Sequence, residues 1–274
     1  IEPSSTPKWF AIIVLLKQIF EIDAFDQFVR NVNFDSNQLQ LQNALKMLLP
    51  ILNVKHIISR GLLHKDNAVG FATLKLLESI LERLNRCRFA FDKGTDGKRR
   101  ELKTKIRANM PSFGVLQSKL AKMAKHCVDE KVVAANEEEN VAKKNITAGS
   151  LPTNSKTLST VKCLLECIIY YLKIFPEAAS DSQFDASRFM DVVDSREIWD
   201  NLMLTILNVV RESAKKELFQ WNRFLKSNNQ ISPLHKILMI YAPKDDSYTQ
   251  TKYEERNMAK SVAYQSILSI GLFS

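Results

Sequence analysis

Seven apolar residues between Val69 and Leu84 constrain this chain more than any other feature. Val69, Ala72, Leu76, Leu77, Ile80, Leu81 and Leu84 recur at the spacing of one helical face, opposite Lys75, Glu78, Glu82 and Arg86. Asp66 stands just before the stripe, where its carboxylate can accept from the free N–H groups of a first helical turn. Such a stripe has to be buried against a neighbour, and the sequence offers no sheet. The alternation of a half-buried strand is hard to find. Asn-Gly is absent, Asp96-Gly97 is the sole Asp-Gly pair, and the chain holds only 7 Gly and 8 Pro. The expected class is all-α.

In chain order, Thr6-Pro7 is a helix start, with a hydroxyl at the cap and a proline where no N–H is missed, leading into an apolar helix from Trp9 to Phe20. A short helix is expected over Ala24 to Val29. Another opens at Ser36, runs through Leu39, Leu41, Leu45, Leu48 and Leu49, and ends at Pro50. Asn53 is read as the cap of Val54 to Leu63. Asp92 to Gly97 is a loop by its turn residues. Lys98 to Asn109 is a charged helix whose clear apolar pair is Leu102 and Ile106, and Val115 to Val128 is a weaker amphipathic one. Periodicity is then lost from Asp129 to Lys156, a linker or insertion.

From Thr157 an apolar helix runs to Phe175, where Pro176 stops it. Phe184 to Met190 suggests a short helical turn. Asp194 to Glu197 reads as a capping box for Ile198 to Val210. Phe219, Trp221, Phe224 and Leu225 suggest an aromatic helix, Ser232-Pro233 opens another through Tyr241, and Thr251 to Glu254 caps a last one ending near Ile270. Roughly ten to twelve helices with short connections fit a HEAT-like or armadillo-like α-solenoid, and a compact non-repeating helical domain is the alternative. Residues 1–128 form an N-terminal helical array ending in a basic segment. Residues 157–274 form a C-terminal array continuous with it. A chain that opens on Ile1 is expected to be a piece of something longer.

Charge is the second constraint. From Arg83 to Lys125 there are 13 Lys and Arg against 3 Asp and Glu, so this stretch alone exceeds the net charge of +9. A polyanion site has this form, because neutralised phosphates release counterions. The candidate contacts are Arg83, Arg86, Arg88, Lys93, Lys98, Arg99, Arg100, Lys103, Lys105 and Arg107. Arg83, Arg86 and Arg88 also suit the negative end of a helix dipole. Arg100, Lys103 and Arg107 would line one helical face. Phe89 and Phe91 lie just upstream, where they stack on bases or pack under the loop. Contact would be to RNA backbone, without base readout. The plainer reading is a solubilising loop or a nuclear-import signal.

Chemistry has little purchase. Cys87, Cys127, Cys163 and Cys167 form no C-x-x-C pair, and with His56, His64 and His126 they lack the short paired spacings of a zinc site. Buried free thiols in a reducing compartment account for them. No Gly-x-Ser-x-Gly elbow, Walker A or dinucleotide fingerprint occurs. Neither catalysis, cofactor, metal nor small-molecule substrate is expected. The longest apolar run, Trp9 to Leu16, is far short of the ~20 residues that span a bilayer, so no membrane is expected either.

Two stretches carry a family resemblance. Arg60 to Leu84 (RGLLHKDNAVGFATLKLLESILERL) and Leu164 to Met190 (LLECIIYYLKIFPEAASDSQFDASRFM) resemble the N-terminal region of the nucleolar pre-ribosomal-associated protein 1 family, and the Trp9-Phe10-Ala11-Ile12 helix is compatible with it. The resemblance implies a very large nucleolar α-solenoid without catalytic activity. It implies work in the earliest assembly of the large ribosomal subunit precursor, with pre-ribosomal RNA, RNA helicases and other assembly factors as partners. No motif in these stretches marks binding residues, so none is carried over. The rival expectation is a protein-binding solenoid adaptor whose basic run serves nuclear import.

Overall fold

The computed structural model describes residues 2–22, 27, 38–50, 54–88, 97–123, 153–189, 202–216, 218–220, 232–241 and 250–269, and the regular elements among them are all helical. Two compact units are formed, Ile1–Leu164 and Leu165–Ser274. The first contains α1 (Pro7–Glu21), α2 (Gln38–Leu48), α3 (Val54–Leu62), α4 (Asn67–Arg86), α5 (Gly97–Asn109) and α6 (113–123). The division falls inside α7 (Thr153–Ile174). The second unit then has α8 (Pro176–Asp181), a 3-10 turn (Ala186–Arg188), α9 (Met203–Ala214), α10 (Pro233–Tyr241) and α11 (Gln250–Ser269).

In the first unit α4 is the central helix, packed against α1 and α3. Val69, Leu76, Leu77, Ile80, Leu81 and Leu84 of its stripe are buried, and Ala72 is half-buried. α1 starts as its residues dictate: Thr6 accepts from the Trp9 N–H and Pro7 takes the first turn. Trp9, Ile13 and Phe20 face inward, whereas Val14, Leu15 and Ile22 stay exposed. Each large buried ring matters, since truncating one to alanine costs roughly 3–5 kcal/mol.

Asp66 caps α4 through a 2.8 Å bond from the Ala68 N–H, and Ser5 Oγ donates to its other oxygen at 2.6 Å. The Ser5 hydroxyl, then the Ala68 amide, hold the Asp66 carboxyl below its ordinary value. A depressed carboxyl contributes stability above its unfolded pKa and loses it as pH falls through the folded one. Acid titration followed by circular dichroism should therefore show a stability decrement below the ordinary carboxylate range. Asp66→Asn keeps a competent cap and should remove that decrement while leaving neutral-pH stability close to wild type.

Several expected boundaries are corrected. α7 begins at Thr153, so residues 153–156 are helical rather than linker. Thr153-Asn154-Ser155-Lys156 are polar and show no stripe, and a helix propagates past its apolar face at one hydrogen bond per residue ordered. Pro176 both ends α7 and occupies the first turn of α8. α9 is described from Met203, behind Leu202, which supplies no side-chain cap, and it runs past the expected end at Val210 to Ala214, while the expected start at Ile198 lies outside the described residues. Phe219 is not helical: the Leu218 N–H is taken by Ser213 and its carbonyl by the Ala186 N–H, which holds this segment off the helix and buries Phe219. Thr251 lies within α11 and not at its cap.

The expected helix over Ala24 to Val29 (save residue 27), Ser36, Asn53, Lys93, the Asp92 to Asp96 loop, residues 124–152, the Asp194 to Glu197 box and Trp221 to Leu225 lie outside the described residues. In the second unit α9 packs on α11 and on the 3-10 turn, and α10 packs on α11. Ile206, Leu207, Val209 and Val210 supply the core beside Val262 and Ala263. Burial pushes the Tyr171 phenol well above its usual pKa, next to Phe175 at 5.9 Å between ring centroids.

Candidate nucleic-acid interface

α5 is built as a one-sided helix. Leu102 and Ile106, four residues apart, are fully buried and dock the helix on α2 and α3. At about 100° of rotation per residue, Arg99, Arg100, Lys103 and Arg107 then fall together on one flank. Glu101 and Lys105 fall on the other and pair with each other at 2.6 Å. Arg100 and Arg107 are exposed, and Arg99 and Lys103 are half-buried. Arg100 has no ion pair among the described residues. The flank carries four cations and none of the helix's own acid, so it presents positive charge to a phosphate strand laid along it.

The other expected contacts divide differently. Arg83 is fully buried and turned into the first unit, which corrects its assignment to an RNA surface. Its Nη1 donates to the Ile19 carbonyl at 3.3 Å and its guanidinium lies 5.7 Å from the centre of the Phe20 ring. Arg86 is two-thirds covered, with one nitrogen 3.5 Å from the Phe20 carbonyl and another 3.4 Å from Glu82. Two arginines of α4 thus close the C-terminal end of α1, adding donors to the Ile19 and Phe20 carbonyls where helical bonding runs out. Arg88 is half-buried beyond the end of α4. Lys93 and the side chain of Lys98 lie outside the described residues, as do Phe89 and Phe91.

The basic run also sends Lys119 inward. It is buried on α6 with its ammonium against Gly70, and burial, then the charge of Lys122, hold its pKa below the usual lysine value. The surplus counted along the sequence therefore overstates the charge that reaches the surface.

Among the described residues no group of three or more His, Cys, Asp and Glu side chains is placed to hold a metal. No described helix is long and apolar enough to cross a membrane. Cys87, Cys163 and Cys167 are buried free thiols, and Cys163 Sγ lies 3.3 Å from Glu78 Oε2. The second unit carries a cavity that no sequence signal marked, because its described lining joins Gln183, Phe184, Asp185 and Arg188 to the distant Gln220. Comparison with family models, with curated proteins and with solved structures gives no match to this chain.

Proposed function

We propose that this chain is a non-enzymatic helical scaffold that binds RNA by its phosphate backbone through the Arg99–Arg100–Lys103–Arg107 flank of α5. The observation that carries the reading is the one-sidedness of that helix: Leu102 and Ile106 fix it, and the cations share a flank from which its acid is absent. The likeness of Arg60 to Leu84 and Leu164 to Met190 to the nucleolar pre-ribosomal-associated protein 1 family supports a narrower reading. In it the RNA is pre-ribosomal, the place is the nucleolus, and the scaffold joins assembly factors and RNA helicases early in large-subunit assembly. The short α3–α4 connection supports a solenoid of paired helices.

Salt tests the RNA contact. Four phosphate contacts on a single strand should make affinity fall about 50-fold between roughly 50 and 200 mM salt, at ~0.7 counterions per contact. Reversing Arg99, Arg100, Lys103 and Arg107 to Glu should flatten that dependence in a fluorescence-anisotropy titration of labelled RNA. An unchanged slope removes α5 from the account. A protein-binding adaptor is the second reading, favoured by the exposed Val14 and Leu15 of α1 and the exposed Ile22 just beyond its end. For that protein the salt slope toward RNA is shallow from the start.

A further inference from the structure

The second unit holds a cavity of about 450 Å³ lined by Gln183, Phe184, Asp185, Arg188 and Gln220, a size typical of small-ligand sites. Its first wall begins where α8 ends. The Phe184 N–H donates to the Ala179 carbonyl at 3.0 Å and the Gln183 N–H to the Ser180 carbonyl at 2.9 Å, the paired closure of a Schellman helix end. That closure requires a left-handed backbone at Gln183, and φ there is 51°. No other non-glycine residue among the described ones has a positive φ. Glycine enters this region without steric cost and an L side chain does not. Strain of this kind collects at functional sites, and the one thing glycine would not supply here is the carboxamide at the cavity wall.

The remaining walls are held in place. Phe184 and Phe189 are buried and meet edge to face at 6.1 Å. Asp185 Oδ1 accepts from the Ser187 N–H at 2.9 Å, and Oδ2 lies 3.9 Å from Arg188 Nε. Across the cavity the Leu218 carbonyl accepts from the Ala186 N–H and Phe219 is buried, which anchors the exposed Gln220. Among the described residues the lining offers two exposed carboxamides, a guanidinium that is 75% exposed and a carboxylate whose charge balances it. A carboxamide sets a donor beside an acceptor, the pattern that pairs with the N6 and N7 edge of adenine. A guanidinium takes a phosphate or stacks on a base plane.

We infer that this cavity holds an unpaired purine of single-stranded RNA, adenine best, with Gln183 and Gln220 at the base edge and Arg188 at the phosphate. The inference rests on the RNA reading, but the residues it names all belong to the second unit and include no α5 side chain. An Asn or Gln side chain of a peptide would offer the same edge, yet it carries no phosphate for Arg188 and is too small to fill the cavity.

Calorimetric titration of the whole chain with the 5′-monophosphates of adenosine, guanosine, cytidine and uridine tests it. The adenosine nucleotide should bind about tenfold or more tighter than either pyrimidine nucleotide. Gln183→Gly should raise the melting temperature by about 3 °C by relieving the backbone, and should weaken the adenosine nucleotide about tenfold. Gln220→Ala should weaken it similarly without the thermal gain, and it stands in if the glycine variant fails to fold. Equal binding of all four nucleotides, wild-type binding by both variants, or tighter binding of a Gly-Gln-Gly peptide overturns the inference. Loss of nucleotide selectivity with the RNA salt slope intact sinks this site alone. A flat salt slope with adenosine nucleotide binding intact sinks the α5 reading alone.

Discussion

Gly61→Ala is expected to lower the melting temperature of the first unit by about 6 °C, although alanine is the better helix former. In an exposed helix the exchange would stabilise by roughly 1 kcal/mol. Here a Cβ on Gly61 would lie 2.2 Å from Thr73 Oγ1, 2.6 Å from its Cγ2 and 2.9 Å from its Cβ. Thr73 cannot move aside cheaply. Its β-branched side chain is stiff at χ1, it is fully buried, and its hydroxyl donates to the Val69 carbonyl at 2.7 Å. Either α3 moves off α4 or Thr73 leaves its rotamer and its hydrogen bond, and overpacking of this kind costs about 1–3 kcal/mol or more. Clash outweighs propensity, leaving a net loss of about 2 kcal/mol, which is ~4–8 °C in a unit of this size. Thermal denaturation followed by circular dichroism reads it directly. The double variant Gly61→Ala with Thr73→Ala should recover part of the loss, because two of the three clashing atoms are gone and the Thr73 Cβ remains. No recovery would mean that the crossing of α3 and α4 is not where the strain lies.

How much of this was legible beforehand follows from how far apart the determinants sit. The caps at Thr6 and Asp66 are read locally, since a side-chain oxygen reaches an N–H two or three residues on. The same holds for the Leu102 and Ile106 pair, which one turn of helix brings together. Gly61 meeting Thr73 is a different matter, because it requires knowing how α3 crosses α4. The position of Gln183 was hidden too: a helix end normally signals itself with glycine, and here the signal is replaced by a residue that merely looks polar.

The basic segment shows the same limit in its strongest form. Counting charge along the chain treats every lysine and arginine as equal. Lys119 and Arg83 go inside, Arg86 goes to a helix end, Lys105 goes to Glu101, and Arg99, Arg100, Lys103 and Arg107 share one flank. The i, i+3, i+7 spacing of Arg100, Lys103 and Arg107 was sufficient to place those three together, because rotation within one helix is fixed. The fate of Arg83 was not, because its partners Ile19 and Phe20 are more than sixty residues away in sequence.

Arg83 supplies the sharpest separation between structural and RNA-facing cations. Arg83→Ala is expected to destabilise the first unit by about 3 kcal/mol. The substitution empties a fully buried site beside Phe20, removes a charge-assisted bond to the Ile19 carbonyl, and leaves that end of α1 short of a donor. Arg83→Met should cost much less, about 1 kcal/mol, since it refills the volume and no longer has to desolvate a guanidinium, a penalty that offsets much of what a buried cation gains. A lysine at 83 should fall below methionine, because it keeps a charge to bury and loses the planar fork. Urea unfolding of the three variants gives that order: wild type, then methionine, lysine and alanine. Titrated against labelled RNA at a temperature where it is fully folded, Arg83→Met should match wild type in both affinity and salt slope. Arg100→Glu with Arg107→Glu should leave urea stability within about 0.5 kcal/mol of wild type, as surface substitutions do, and should lower RNA affinity. If Arg83→Met instead weakens RNA binding as much as the α5 pair does, the guanidinium reaches solvent in the working protein, and the closure of α1 by Arg83 is the wrong account of its charge.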